Sequence, residues 1–214
     1  MVMQDPHSPK RCLGSIATPA VAALLLALTL VTLWNLRGIR GREAPLPELG
    51  PIHQFELTDQ LGRESTAAEL RGKVWIANFI FTRCPTICPA LTRQMWEIQE
   101  KNRDLGDRLR LVSFSVDPDF DTPEVLREYA RRHRADEAIW SFLTGPLEEI
   151  RRTVVEGFKM AMGGKSEDSL SIFHGSHFIL VDTEGRIRAY YDSSEEAVVD
   201  QVRRGARSLL AEER

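Results

Sequence analysis

Cys84 and Cys88 stand four positions apart in Phe81–Pro89, "FTRCPTICP", each followed by a proline. Two thiols held in one turn have three chemistries open to them. The first is disulfide exchange. Dithiol oxidoreductases place two residues between their sulfurs, whereas Pro85, Thr86 and Ile87 intervene here. The second is peroxide reduction, with Cys84 as nucleophile and Cys88 as resolving thiol. Peroxide-reducing thiols carry a threonine three residues before the reactive cysteine; Thr82 is two before Cys84. The third is a soft metal: a thiolate pair suits Cu(I), but a three-coordinate site needs another ligand, for which imidazole is the natural donor.

The chain has five histidines. His7 is separated from the dithiol by an apolar segment, and His53 lies where an irregular stretch meets the folded part. His133 ends a helical pattern beside Arg131, Arg132 and Arg134, which reads as a solvated helix end. His177 opens a strand pattern and packs or hydrogen-bonds there. His174, in "SIFHGSHFILVD", precedes the last hairpin pattern, with Gly175 permitting close backbone approach. Met160 and Met162 in "FKMAMGG" offer soft sulfur, although a pair at this spacing reads first as packing. Asp117, Pro118, Asp121, Thr122 and Pro123 read as turn and cap residues, with docking by Asp117 or Asp119 as the alternative.

These side chains need elements to position them. "VWIANFIF" (74–81) is a continuous apolar run of strand length, which predicts a buried central strand. Pro89 predicts that regular helix starts there, with the residues from Cys84 to Cys88 in one tight turn at its N-terminus. The partial positive charge at that end favours thiolate. "LRLVSFSVD" (109–117) predicts a second buried strand, and Thr122 with Pro123 predicts a capped helix. "IWSFLTG" is a short strand, and Pro146 opens a further helix. "HFILVDTEGRIRAYY" is a hairpin turning at Glu184–Gly185, and a last helix starts near Ser194. "HQFELTDQLGRES" reads as an earlier hairpin turning at Gly62. Strand and helix alternation of this kind predicts an α/β fold: a central mixed sheet with helices on both faces, thioredoxin-like.

Composition narrows the function classes. A net charge of −3 and a pI near 6.0 leave no electrostatic footprint for nucleic acid. Three cysteines, only two of them in the folded part, exclude a disulfide framework. Leu13–Leu36 carries no charge. As a helix it is roughly 36 Å long, enough to cross a hydrocarbon core of about 30 Å. Its length favours an uncleaved anchor over a signal peptide, and Cys12 precedes it, where a lipoprotein cysteine would follow. The expected organisation is a tail (1–12), a transmembrane anchor (13–36), a Pro-rich tether (37–52) and one domain (53–214). Lys10 and Arg11 before the anchor are outnumbered by Arg37, Arg40 and Arg42 after it, so the flanking charges do not favour export of the domain.

"FTRCPTICP", "SVDPDFDTPEVLREYA" and "FHGSHFILVDTEGRIRAYYD", in that order, resemble the Sco/SenC proteins, copper chaperones for cytochrome c oxidase assembly. The resemblance runs from about Gly50 to the C-terminus. It implies one copper ion, Cu(I) or Cu(II), held by Cys84, Cys88 and His174, the histidine being matched by its place eleven residues before Gly185. It also implies delivery to the copper-site subunit of a respiratory oxidase, an upstream copper donor, and a thiol reductant that keeps the dithiol open. The membrane is contacted through the N-terminal helix, with the domain in the periplasm or otherwise outside the cytoplasm. The loop before the last hairpin lacks the proline that general disulfide-exchange proteins carry there. Two departures from the family pattern are Thr86, where aspartate is frequent, and Phe173, where aspartate usually precedes the histidine.

Overall fold

β4 (Val74–Ile80) is buried at every position, and its side chains alternate between two apolar clusters. Val74, Ile76 and Ile80 face one cluster, while Trp75, Ala77 and Phe79 face the other. A strand buried on both sides must lie at the centre of a covered sheet. The computed structural model describes residues 17–40, 45–160 and 176–212, and forms two compact units, Met1–Ala44 and Pro45–Arg214.

In the second unit, β1 (Gly50–Pro51), β2 (Glu56–Asp59), β3 (Glu64–Thr66), β4, β5 (Leu109–Ser115), β6 (Trp140–Thr144), β7 (His177–Val181) and β8 (Arg186–Asp192) form one sheet. Their spatial order is β1-β8-β7-β4-β5-β6-β2-β3. β4, β5 and β6 run parallel, and β7 lies antiparallel to β4. Both expected hairpins are present, β2–β3 turning at Gly62 and β7–β8 at Gly185, each glycine with positive φ.

One face of the sheet is covered by α2 (Ile87–Lys101), α3 (Pro123–Arg132) and α5 (Val198–Glu212). They bury Leu91, Met95 and Ile98, then Leu126 and Tyr129, then Val202 and Leu209. The other face is covered by α4 (Leu147–Arg152) and the wider turn that continues it, with Ile150, Val154 and Phe158. Phe55, Phe79, Phe114 and Phe158 pack there with ring centroids 5.3–5.7 Å apart. Thr122 caps α3 as expected, its hydroxyl accepting from the Val125 N–H at 3.4 Å.

Three boundaries differ from expectation. α2 starts at Ile87, which puts Pro89 third in the helix rather than first. The first helical residues have no carbonyl four positions back, so a proline there forfeits no hydrogen bond. α5 starts at Val198 because Asp192 accepts from the Ser194 N–H at 2.8 Å, and the chain turns once more before the helix. The stretch read as a tether enters the sheet: β1 pairs with β8, and the Leu49 N–H donates to the Ile187 carbonyl at 2.8 Å.

In the first unit, α1 spans Ala17–Arg40 and overlaps most of the apolar run. Its described side chains, 21–32 and Trp34, are exposed. Among the described residues no helix is long and apolar enough to cross a membrane.

Candidate metal centre

Pairing of β4 ends with the Val116 N–H on the Ile80 carbonyl at 2.9 Å, after which the chain turns out of the sheet. The Cys84 N–H closes that turn on the Phe81 carbonyl at 3.1 Å. Thr86 then occupies the N-cap position of α2, so Cys84 lies two residues before the cap and Cys88 is the second helical residue. Both cysteines are buried, 7% and 4% exposed, and both are reduced. The N-terminal N–H groups of α2, unsatisfied within the helix, converge on this spot.

The two sulfurs are not equivalent. Burial would raise the Cys84 pKa, but it is outweighed by hydrogen bonds to its sulfur from the Cys88 and Thr86 N–H groups, the Thr86 hydroxyl and the Cys88 thiol. The result is a pKa lowered to about 7. The Thr86 Oγ1 lies 3.6 Å from the Cys84 Sγ. Burial raises Cys88 to about 12, only partly opposed by a backbone hydrogen bond from Phe81; the neighbouring Cys84 and Asp121 push it further up. Cys84 is therefore the sulfur that ionises around neutral pH, with Cys88 remaining its hydrogen-bonded thiol.

A cavity of about 320 Å³ opens beside the sulfurs, walled by Phe81, Pro85, Ile87, Leu91 and Val116. Soft donors in an apolar wall fit a soft cation and offer little to a hard, oxygen-seeking one.

Behind the dithiol lies a layer of buried polar groups. Asp121, fully buried, accepts from the Thr82 N–H at 3.1 Å, the Thr82 hydroxyl at 2.5 Å and the Ser115 hydroxyl at 2.6 Å. Burial pushes its carboxyl above the usual range, against the downward pull of Ser115 and Thr82. The Thr92 hydroxyl donates to the Cys88 carbonyl at 2.8 Å and lies 2.7 Å from the Tyr129 hydroxyl. On the outside, Arg83 pairs with Asp117 at 2.6 Å and its guanidinium stacks over Phe120 at 4.3 Å.

Of the three residues expected to hold copper, Cys84 and Cys88 are brought together, while His174 lies outside the described residues, as do Met162, Cys12 and His7. Among the described residues no cluster of three or more His, Cys, Asp or Glu side chains is placed to hold a metal. Met160 packs against the second core cluster, in keeping with a packing role. His133 caps α3 with its ring 4.3 Å from that of Tyr129 and tilted against it, so it packs on that ring rather than standing fully solvated. His177 sits at the start of β7, with its buried Nδ1 unbonded among the described residues. Asp121 is the residue that sequence reading undervalued: placed just before the cap Thr122 it reads as turn chemistry, whereas the fold aims it at Thr82.

A profile of the SCO1/SenC family matches residues 48–207. The SCO1 protein homolog of Bacillus subtilis is 34% identical over 163 residues, covering 76% of this chain and 84% of that protein. The solved structure of BsSco, described as a member of the Sco family of cytochrome c oxidase assembly proteins and as containing a disulfide switch, is 32% identical with a TM-score of 0.69. That match covers 78% of this chain and 98% of BsSco. Yeast Sco1 with copper bound is 27% identical with a TM-score of 0.57, over 73% of this chain and 87% of the yeast one. These likenesses bear out the expected thioredoxin-like α/β architecture of the second unit.

Proposed function

This chain belongs to the SCO1/SenC family, and we propose that it is a membrane-anchored copper carrier that serves the assembly of a cytochrome oxidase. The observation that carries the proposal is the dithiol itself: two soft sulfurs, buried side by side at a helix N-terminus against an apolar cavity, one ionising near neutrality. Copper is the cargo. Cys84 and Cys88 supply two ligands and His174 the third, for one Cu(I) or Cu(II) per domain. At neutral pH binding displaces the Cys88 proton and whatever remains on Cys84, so affinity falls as pH is lowered.

Apolar residues exposed along α1, among them Leu24, Leu25, Leu26, Leu28 and Leu30, support anchoring in a bilayer through residues 13–36. In this reading the domain stands outside the cytoplasm, on the strength of the family resemblance rather than of the charges flanking the anchor. There it takes copper from an upstream donor, depends on a thiol reductant, and passes the metal to the copper-site subunit of the oxidase by ligand exchange. A reporter at the C-terminus that is active only in the cytoplasm would overturn that orientation.

Copper titration of the reduced protein tests the site. One equivalent should bind, and Cys84→Ser, Cys88→Ser or His174→Ala should each weaken binding more than about tenfold, at least the loss seen for residues that merely support a ligand. Parent-like affinity in His174→Ala would remove the third ligand from the reading.

The split between the two thiols also favours a second activity, reduction of a disulfide in the recipient. The Cys84 thiolate would attack one target sulfur and expel the other, which takes up a proton. Cys88, losing its own proton, would then attack the Cys84 sulfur and release the target's second thiol. The pair is oxidised by two electrons and the target reduced by two, and an attacking thiol with pKa near ambient pH is the efficient one. His174→Ala should leave this exchange intact while copper binding fails.

A further inference from the structure

We propose that Asp121 is the positioning residue of the dithiol: its carboxylate holds Thr82, and with it the turn that carries Cys84, against the end of β5. Each hydrogen bond to this carboxylate among the described residues comes from a donor on Thr82 or Ser115. Its Oδ1 accepts from the Thr82 hydroxyl, and its Oδ2 from the Thr82 N–H and the Ser115 hydroxyl. Ser115 is fixed in turn, its Oγ accepting from the Asp117 N–H at 3.1 Å. The Asp121 backbone is pinned by its own N–H on the Asp117 carbonyl at 2.9 Å. A side chain with two acceptor oxygens and no hydrogen is the one that satisfies this arrangement without leaving a buried donor unpaired.

The two sulfurs are held from different directions. Cys88 belongs to α2, where Thr92 binds its carbonyl and Tyr129 steadies Thr92. Cys84 lies before the cap, outside the helical hydrogen bonds, and its turn begins at Phe81. Between Phe81 and Cys84, Thr82 is tied inward to Asp121, whereas Arg83 makes an exposed ion pair of the kind that contributes little. The spacing between the sulfurs is therefore set by how Asp121 holds Thr82 relative to α2. A carboxylate that fixes a ligand-bearing turn acts on a metal site as outer partners of ligands do, where loss costs about 10–100-fold in affinity.

The full-length reduced chain in detergent tests this with Asp121→Asn, Thr82→Val, Thr82→Ser and Arg83→Ala, each checked for folding by far-UV circular dichroism. Without copper, the ratio of iodoacetamide alkylation rates at Cys84 and Cys88 is measured by mass spectrometry; with copper, Cu(I) affinity is measured by chelator competition. Asp121→Asn replaces one acceptor oxygen by an NH2 group, which either faces a donor or is met only by reversing the Thr82 hydroxyl so that it accepts, and Thr82→Val removes the hydroxyl at constant shape. Both should shift the alkylation ratio and weaken Cu(I) binding by about tenfold. Thr82→Ser, which restores the hydroxyl, and Arg83→Ala should stay close to the parent. Parent-like ratio and affinity in Thr82→Val would overturn the proposal, as would a Thr82→Ser variant no better than Thr82→Val. If Asp121→Asn does not fold, the Thr82 pair decides alone. The affinity arm rests on the copper reading; if the parent binds no copper that reading fails, and the alkylation ratio still decides the role of Asp121.

Discussion

Cys84 and Cys88 are one kind of side chain in two electrostatic situations, and the difference can be measured directly. Burial acts on both, but Cys84 collects the N–H groups of Thr86 and Cys88 while Cys88 sits deeper and faces its partner's charge. Thiolate is the reactive form, so alkylation of Cys84 in the reduced protein should be half-maximal near pH 7, while Cys88 stays protonated and slow through pH 9. Thr86→Ala removes a hydrogen bond to the charged form and must therefore move the Cys84 midpoint upward. Equal rates at the two sulfurs across this range would refute the asymmetry. The pair itself was legible in the sequence, since spacing alone declares a local dithiol. The asymmetry was not, because it depends on burial and on which N–H groups reach which sulfur. Asp121 was misread for a related reason: an acid beside a cap residue has a local explanation, and its long-range partner Thr82, 39 positions away, is brought to it only by the sheet.

At the scale of elements, the periodic segments were readable and their edges were not. A fully apolar run such as Val74–Ile80 can be covered only at the centre of a sheet, and Thr122 followed by Pro123 starts a helix on local chemistry alone. The start of α2 was misplaced because a proline marks the first turn without saying which of its positions it fills. Packing between elements leaves a mark of a different kind in α5. Gly205 lies where a Cβ would collide with the Tyr191 hydroxyl and come within 3.0 Å of Leu180 Cδ2, so the missing side chain lets α5 settle on β7 and β8. In an exposed helix Gly→Ala would stabilise by about 1 kcal/mol. Here overpacking costs about 1–3 kcal/mol, and the clash should win. Gly205→Ala is therefore expected to lower the thermal midpoint; a rise would show that α5 has room to move.

At the scale of the whole molecule, the boundary of the folded unit is decided by one buried guanidinium. Arg188 on β8, 6% exposed, donates to the Leu46 carbonyl at 2.6 Å, the Pro47 carbonyl at 3.1 Å, Asp182 at 3.1 Å and Glu212 of α5 at 3.1 Å. It joins the start of the unit, the hairpin and the last helix. Residues 45–52 are rich in proline and read as a tether because their acceptors are backbone carbonyls, which no sequence pattern advertises. A chain beginning at Pro45 should therefore fold as well as the parent's second unit. One beginning at residue 53, the boundary that the sequence favoured, loses β1, the Leu46 packing and two acceptors for a buried charge. Hydrogen bonds to a charged group contribute about 1.5–3 kcal/mol each in such settings. A loss of about 3 kcal/mol corresponds to a thermal midpoint lower by roughly 6–12 °C for a unit of this size. Burial would raise the Asp182 carboxyl, but hydrogen bonds from Arg186 and Arg188 outweigh it and hold it below its usual range. Its contribution is whole above about pH 4 and is lost as pH falls through the depressed value, so the comparison belongs at neutral pH. Equal midpoints for the two chains would mean that Arg188 finds water or its two carboxylates sufficient, and that the unit ends where the apolar pattern does.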